Sequence, residues 1–326
     1  MAKMTMVQAL NLALRQEMEK DDSVILLGED VGLDGGVFRV TDSLIDQFGE
    51  NRVLDTPLAE SGIVGMSIGM AVYGLKPVCE IQFSGFSYQN FHQIENHAAR
   101  LRWRSQGRFQ VPMVMRTPYG GGVRALEHHS ESREVYWAHT PGLKMVIPSG
   151  PRNARALLIS AIRDPDPVIF YEPKALYRAF REDVPEDEET MPIGKAQIVR
   201  EGKDLTMISY GAMMRPTLEA ASELNAKDGV EAEVIDLLTI SPLDDNTFVQ
   251  SVLKTGRAVV IHEAPRSFGP GAEIVSRLME KAFYYLEVPI ERVTGYDIII
   301  PLFSREKAYL PNAHRILRAA RKALSN

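Results

Sequence analysis

Cysteine is nearly missing: Cys79 is the only one in 326 residues. An intramolecular disulfide is excluded, and a cysteine-built metal site lacks its ligands. Cys79 lies in the apolar run Lys76-Pro-Val-Cys-Glu80 and is expected to be a small core side chain. An excess of positive charge is lacking too. The formal net charge is −6, which argues against a nucleic-acid binder and its basic face. No apolar run is long enough to span a bilayer. The start, Met1-Ala-Lys-Met-Thr-Met-Val-Gln-Ala-Leu10, enters a helical pattern without a signal-peptide core or an Arg/Ser-rich transit segment. A cytoplasmic location is expected. No strand is followed by Gly-x-Gly-x-x-Gly, the turn that a stand-alone dinucleotide-dependent dehydrogenase would need. Short repeats, low-complexity tracts and heptads are also absent.

What is present looks globular and large enough for two domains: 45% hydrophobic and 25% charged residues. Apolar strand-like runs alternate with helical patterns. Val24–Gly28, Lys76–Phe83, Pro112–Arg116, Lys144–Pro148 and Pro167–Tyr171 read as strands, with helices near 4–20, 61–74, 88–104, 131–139 and 152–163. After residue 204 the alternation resumes, with strands at Leu205–Tyr210, Val230–Asp236, Arg257–His262 and Ile290–Gly295 and helices between them. This predicts an α/β protein of two doubly wound domains with parallel sheets covered on both faces. The acidic, proline-punctuated stretch Asp183–Gly194 marks a linker. The expected boundaries are 1–185 for the first domain, 186–203 for the linker and 204–326 for a smaller second domain.

The most informative stretch is Asp55-Thr-Pro-Leu-Ala-Glu60-Ser-Gly-Ile-Val-Gly65-Met-Ser-Ile-Gly69. A carboxylate follows a strand-like run, and a helix follows at once. Gly62, Gly65 and Gly69 fall at helical spacing near one face. Glycine inside a helix costs roughly 1 kcal/mol against alanine, so three of them suggest close approach of another backbone. The bland alternative is a glycine-tolerant helix with Glu60 as a solvated first-turn acid.

The run Glu60, Gly65, Met66, Gly69, preceded by Thr56-Pro-Leu-Ala, resembles the beta subunits of the two-subunit, thiamine-diphosphate-dependent 2-oxo acid dehydrogenases. Phe170-Tyr-Glu-Pro-Lys-Ala-Leu-Tyr-Arg178, Lys254-Thr-Gly-Arg, His262-Glu-Ala-Pro and Arg292-Val-Thr-Gly-Tyr-Asp297 extend the resemblance over essentially the whole chain. It implies an N-terminal pyrimidine-binding domain and a C-terminal transketolase-C-like domain. It also assigns roles. Glu60 would hold the aminopyrimidine N1′ of thiamine diphosphate and promote the imino tautomer that deprotonates the thiazolium carbon. Burial strengthens such a hydrogen bond. Gln82 and Phe86, in Glu80-Ile-Gln-Phe-Ser-Gly-Phe86, would line the aminopyrimidine and substrate; the plain alternative for Phe86 is a core aromatic. In Pro118-Tyr-Gly-Gly-Gly-Val-Arg-Ala-Leu-Glu-His128-His129-Ser130, the histidine before a serine, His129, would orient the 2-oxo acid and handle protons.

Asp30-Val-Gly-Leu-Asp-Gly-Gly36 lacks the Gly-Asp-Gly and asparagine of a Mg²⁺–diphosphate site. The resemblance therefore gives Mg²⁺ and the diphosphate to an alpha subunit, in an α2β2 tetramer that serves a dihydrolipoyl acyltransferase core. It further suggests a structural K⁺ held through Met113, Ala161, Ile162, Asp164 and Asp166. The plain alternative there is a helix stop at Asp164-Pro-Asp-Pro167. His262-Glu263 could serve acid–base work but reads as structural. The implied substrate is pyruvate, with Phe86 leaning that way. Gln82 and Glu172-Pro-Lys-Ala-Leu-Tyr177 lean towards branched-chain 2-oxo acids; acetoin is a further alternative. A non-catalytic assembly subunit is the competing reading from another class.

Overall fold

The computed structural model describes every residue except Glu188 and Asn326. These two positions of the expected linker and second domain lie outside the described residues. The chain divides into two compact units. The first comprises Met1–Tyr119 and Tyr136–Ile193; the second comprises Gly120–Val135 and Gly194–Asn326.

In the first unit, helix α1 (Met6–Lys20) begins at a capping box. The Gln8 N–H donates to Thr5 Oγ1, and the Thr5 N–H donates back to Gln8 Oε1. There follow strand β1 (Val24–Gly28), strand β2 (Val53–Asp55), helix α2 (Glu60–Val72), strand β3 (Lys76–Glu80), strand β4 (Val114–Tyr119), strand β5 (Lys144–Val146), helix α3 (Pro151–Arg163) and strand β6 (Val168–Pro173). The strands run parallel in the order β5-β6-β4-β3-β1-β2. β1, β4 and β6 are buried at every residue, as expected of strands covered on both faces. The chain leaves β1 for β2 on one side and returns to β3 on the other. The order therefore reverses between β1 and β3, and open α/β sheets bind ligands beyond the carboxyl ends of strands at such a point. A short antiparallel pair, Ala2–Met4 with Glu182–Val184, joins the ends of this unit.

The second unit is built on a 5-stranded sheet. Its elements are strand β7 (Gln197–Arg200), strand β8 (Leu205–Ser209), helix α4 (Met214–Asp228), strand β9 (Ala232–Asp236), helix α5 (Asp245–Thr255), strand β10 (Ala258–Ile261), helix α6 (Pro270–Ala282), strand β11 (Glu291–Val293) and helix α7 (Ala313–Leu324). The order is β11-β10-β8-β9-β7, parallel except for β7 on β9. β7 falls inside the stretch read from the sequence as a linker. It is a short edge strand whose residues are mostly exposed, so no buried alternation announces it. The helix expected over 88–104 is also more broken than its pattern. It contains a π-helical turn at Ile94–Ala98 between Phe91–Gln93 and Ala99–Arg104.

Candidate active site

Side chains that can do chemistry collect beyond the carboxyl ends of β1, β2 and β3 in the first unit. Asp55 ends β2 and ties down the loop after β1. Its Oδ1 accepts the Gly32 N–H at 2.6 Å and its Oδ2 the Leu33 N–H at 3.2 Å. Asp55 is thus occupied by the fold. Five residues later Glu60 opens α2, because the chain must turn from strand to helix over Thr56-Pro-Leu-Ala. Glu60 is 4% exposed, and its Oε2 is buried with no hydrogen-bond partner among the described residues. An unpaired buried carboxylate oxygen costs free energy unless a ligand satisfies it. Glu29, just past β1, belongs to the same acidic group. Burial first, then the charges of Asp30 and Glu60, push its carboxyl up.

The loop after β3 closes this edge. Ser84–Tyr88 forms a single 3₁₀ turn. Gln82 donates from Nε2 to Asp30 Oδ2 at 3.2 Å. The Phe86 ring meets Phe83 edge-on at 5.8 Å, and Phe83 meets Phe38 likewise at 5.7 Å. The Ser61 hydroxyl donates to the Gln89 carbonyl, so the first turn of α2 is tied to the end of this loop. Glu60 follows β2, and Gln82 and Phe86 follow β3, the two strands that flank β1, so all three stand at the carboxyl ends of neighbouring parallel strands.

Beneath them lies a charged network that sequence reasoning missed. Arg116 on β4 is 1% exposed. Its Nε and Nη2 donate to the two oxygens of Glu172 on β6 at 2.7 and 3.0 Å, and its Nη1 donates to Glu80 on β3 at 2.9 Å. The Tyr177 hydroxyl donates to Glu172 Oε2 at 2.6 Å. Burial holds the Glu80 carboxyl above its usual range despite the pull of Arg116. The sequence signal was available: each charge interrupts an apolar strand run. Glu172 and Tyr177 are bonded to one another beside Arg116.

The glycines of α2 have a different surrounding from the one expected. The apolar face Ile63, Val64, Ile68 and Ala71 is buried, while Gly62 and Gly69 are exposed beside Met66. A Cβ added at Gly65 would meet only the Gln93 side chain at 3.7 Å, and one at Gly69 would meet nothing within 4 Å. Among the described residues, no backbone outside the helix comes within 4 Å of a Cβ placed at Gly62, Gly65 or Gly69.

The segment Gly120–Val135 belongs to the second unit. Its base is closed by the Gly120 N–H donating to the Glu131 carbonyl at 3.0 Å. Glu127–His129 is a 3₁₀ turn in which the His129 N–H donates to the Leu126 carbonyl at 3.1 Å. His129 is half-buried, its ring 4.2 Å from that of His128. Ser130 is buried, and its hydroxyl has no partner among the described residues. It lines a small cleft together with Arg133, Glu263, Ile300 and Tyr309. Glu134 is fully buried under the hydroxyl of Tyr210, and burial pushes its carboxyl up to about 7. His262 and Glu263 serve the fold. His262 packs against Gly269 and Gly271, hydrogen-bonds the Ala264 carbonyl through Nδ1, and is pushed down to about 3 by burial. Glu263 accepts the Gly121 N–H at 2.9 Å.

At the suggested cation site, α3 ends as the Asp164 N–H donates to the Ala161 carbonyl at 3.3 Å, and the Met113 carbonyl accepts the Val168 N–H at 2.9 Å. Lys144 Nζ sits 2.6 Å from Asp164 Oδ1 and 3.2 Å from Asp166 Oδ2. The two carboxylates thus already have a cation of the chain's own, and Ile162 is buried on the core side of the helix.

Residues 2–179 match the family described as "Transketolase, pyrimidine binding domain", and residues 194–316 match "Transketolase, C-terminal domain". Proteins named pyruvate dehydrogenase E1 component subunit beta are similar over nearly the whole chain. That of Bacillus subtilis (strain 168) is 51% identical over 324 residues, 99% of each chain. That of Acholeplasma laidlawii is 50% identical over 322 residues, 99% of this chain and 98% of the relative. A solved structure titled "Split gene transketolase, inactive beta4 tetramer" superposes with a TM-score of 0.82 at 21% identity, covering 99% of each chain, which is a likeness of fold. With both domains matched and half of all positions shared, the chain belongs to the family of pyruvate dehydrogenase E1 beta subunits, on the two-domain transketolase-like fold.

Proposed function

We propose that this chain is the catalytic beta half of a pyruvate dehydrogenase first component. With an alpha subunit, in an α2β2 assembly, it decarboxylates pyruvate and transfers the acetyl unit to the lipoyl group of a dihydrolipoyl acyltransferase core in the cytoplasm. The observation that carries this reading is Glu60: a carboxylate buried at the carboxyl edge of a parallel sheet, with one oxygen unpaired. That acceptor fits a ring nitrogen carrying a proton, such as the aminopyrimidine of thiamine diphosphate. Bound there, the cofactor supplies a nucleophilic thiazolium carbon and an electron sink. Glu60 holds the aminopyrimidine proton, and a dry environment strengthens that bond. Gln82 and Phe86 line the same edge: the amide orients polar groups, and the ring keeps water out. His129 offers an imidazole for orienting the 2-oxo acid and moving protons during transfer. The Mg²⁺ and diphosphate contacts belong to the alpha subunit. The exposed glycine face of α2 is where that partner or a second beta chain comes close. For a structural K⁺, the main-chain carbonyls around the end of α3 are the donors, since Lys144 already neutralises Asp164 and Asp166. The pyrimidine-binding domain is taken as 1–185 and the transketolase-C-like domain as 204–326.

Co-expression with the alpha subunit tests the reading. Pyruvate should be decarboxylated faster than branched-chain 2-oxo acids or acetoin, and only when both subunits and thiamine diphosphate are present. Faster turnover of a branched acid would reassign the substrate. Undiminished decarboxylation by a Glu60→Ala assembly would instead leave the chain as a non-catalytic assembly subunit.

A further inference from the structure

The glycine-rich loop Gly120-Gly-Gly122 resembles a phosphate cradle in composition, yet the second unit fills it with its own carboxylates. Glu306 is 2% exposed at the start of the short helix Glu306–Tyr309. Its Oε1 accepts the Gly122 N–H at 2.9 Å, and its Oε2 accepts the Arg124 N–H at 3.1 Å. Glu263, 3% exposed, accepts the neighbouring Gly121 N–H at 2.9 Å. Consecutive main-chain donors thus converge on two buried acids lying 142 to 184 residues further along the chain. The backbone is shaped for this. Gly120 and Gly122 have φ of +80° and +97°, which side-chain-bearing residues rarely adopt. A Cβ at Gly120 would sit 2.5 Å from Glu263 Oε1. Gly121 is wedged so that a Cβ would meet Leu310 and Ile300 at 3.1 and 3.2 Å. At the far end of the loop, Tyr210 grips Glu134. His129 lies between these two anchorages.

We propose that Glu306, assisted by Glu263, is a positioning residue for the reaction: it clamps the main chain of the 120–135 loop and so fixes where His129 stands. This rests on the reading of His129 as a participant in catalysis. Charge-assisted bonds to two N–H groups set orientation as well as energy. A glutamine at 306 can accept at one oxygen only and turns its NH₂ towards the other N–H. The clamp is then half open while volume is conserved.

The experiment is a double-mutant cycle in the assembled α2β2 enzyme, with Glu306→Gln, His129→Ala and the double variant. Glu306→Gln should lower kcat for lipoyl acetylation at least about 10-fold, because displacements near 1 Å cost up to about 100-fold. Half-saturation by thiamine diphosphate should stay unchanged, and trypsin should cut faster at Arg124. On the His129→Ala background, Glu306→Gln should cost nothing more. An equal loss in both backgrounds, or no loss in the wild-type background, overturns the proposal. An undiminished His129→Ala enzyme overturns the catalytic reading of His129 instead, which is a separate result. Should Glu306→Gln fail to assemble, Glu263→Met removes the acceptor for the Gly121 N–H at similar volume and enters the same cycle under the same criteria.

Discussion

Glu60 separates activity from stability in a way that one isosteric change can read. Glu60→Gln keeps the volume but removes the charge proposed to hold a ring proton of the cofactor. Decarboxylation by the assembled enzyme should fall by at least about 100-fold, the usual scale for losing a proton-handling group. The thermal midpoint of the isolated chain should not fall, because the wild type buries an unpaired carboxylate oxygen. A lower midpoint with retained activity would contradict both halves of this account. Glu134 gives a pH signature. Its folded value of about 7 lies above its ordinary 4.5, so the folded chain holds the extra proton between those values. Its stabilising effect is complete below pH 4.5 and is lost as pH rises towards 7, on the order of 3 kcal/mol in all. Glu134→Gln should therefore become steadily more stable than wild type over that range in urea titrations. A constant difference across it would refute the assignment. Glu60 stood out as a candidate in the sequence because acid, turn and glycine helix are contiguous and together resemble the family's motif. Glu134 and Glu306 did not, and Glu263 stood out only beside His262, not as a partner of the glycine loop. Each is an acid in an ordinary local setting, and only the folded second unit brings them to one loop.

At the scale of elements, the parallel strands announced themselves, since strands buried on both faces are continuous apolar runs. β7 did not, because an exposed edge strand of four residues lacks any burial pattern. The glycines of α2 were legible as unusual but not as to what they face. The structure supplies a test. Gly69 has open space around it and a helical backbone, so Gly69→Ala should stabilise the isolated chain by up to about 1 kcal/mol. The same change should weaken assembly with the alpha subunit if this face receives a close neighbour. Calorimetry of the isolated chain and sedimentation of the mixture check the two halves. A destabilised isolated chain would mean that the helix is strained here in a way its surroundings do not show.

For the whole molecule, the alternation of strands and helices conveyed two doubly wound units and the family pattern conveyed their kinship. No helix among the described residues is long and apolar enough to cross a membrane. What the linear order concealed is that the chain passes between units three times. Residues 120–135 fall within the stretch matched by the pyrimidine-binding family, yet they cluster with the second unit. Gly121, Gly122 and Arg124 bond acids far along the chain, and neither composition nor periodicity carries such information.

That crossing has a consequence for inheritance. A recombination event near residue 194, at the visible seam between the two matched families, would separate the glycine loop from the acids that hold it. Grafting a foreign C-terminal half onto this N-terminal half would leave the glycine loop without the acids that bond it. Chimaeras of this family should tolerate exchange at that seam only when the donor brings acids equivalent to Glu263 and Glu306. What such an exchange must preserve is thus set by a loop of sixteen residues rather than by the seam itself.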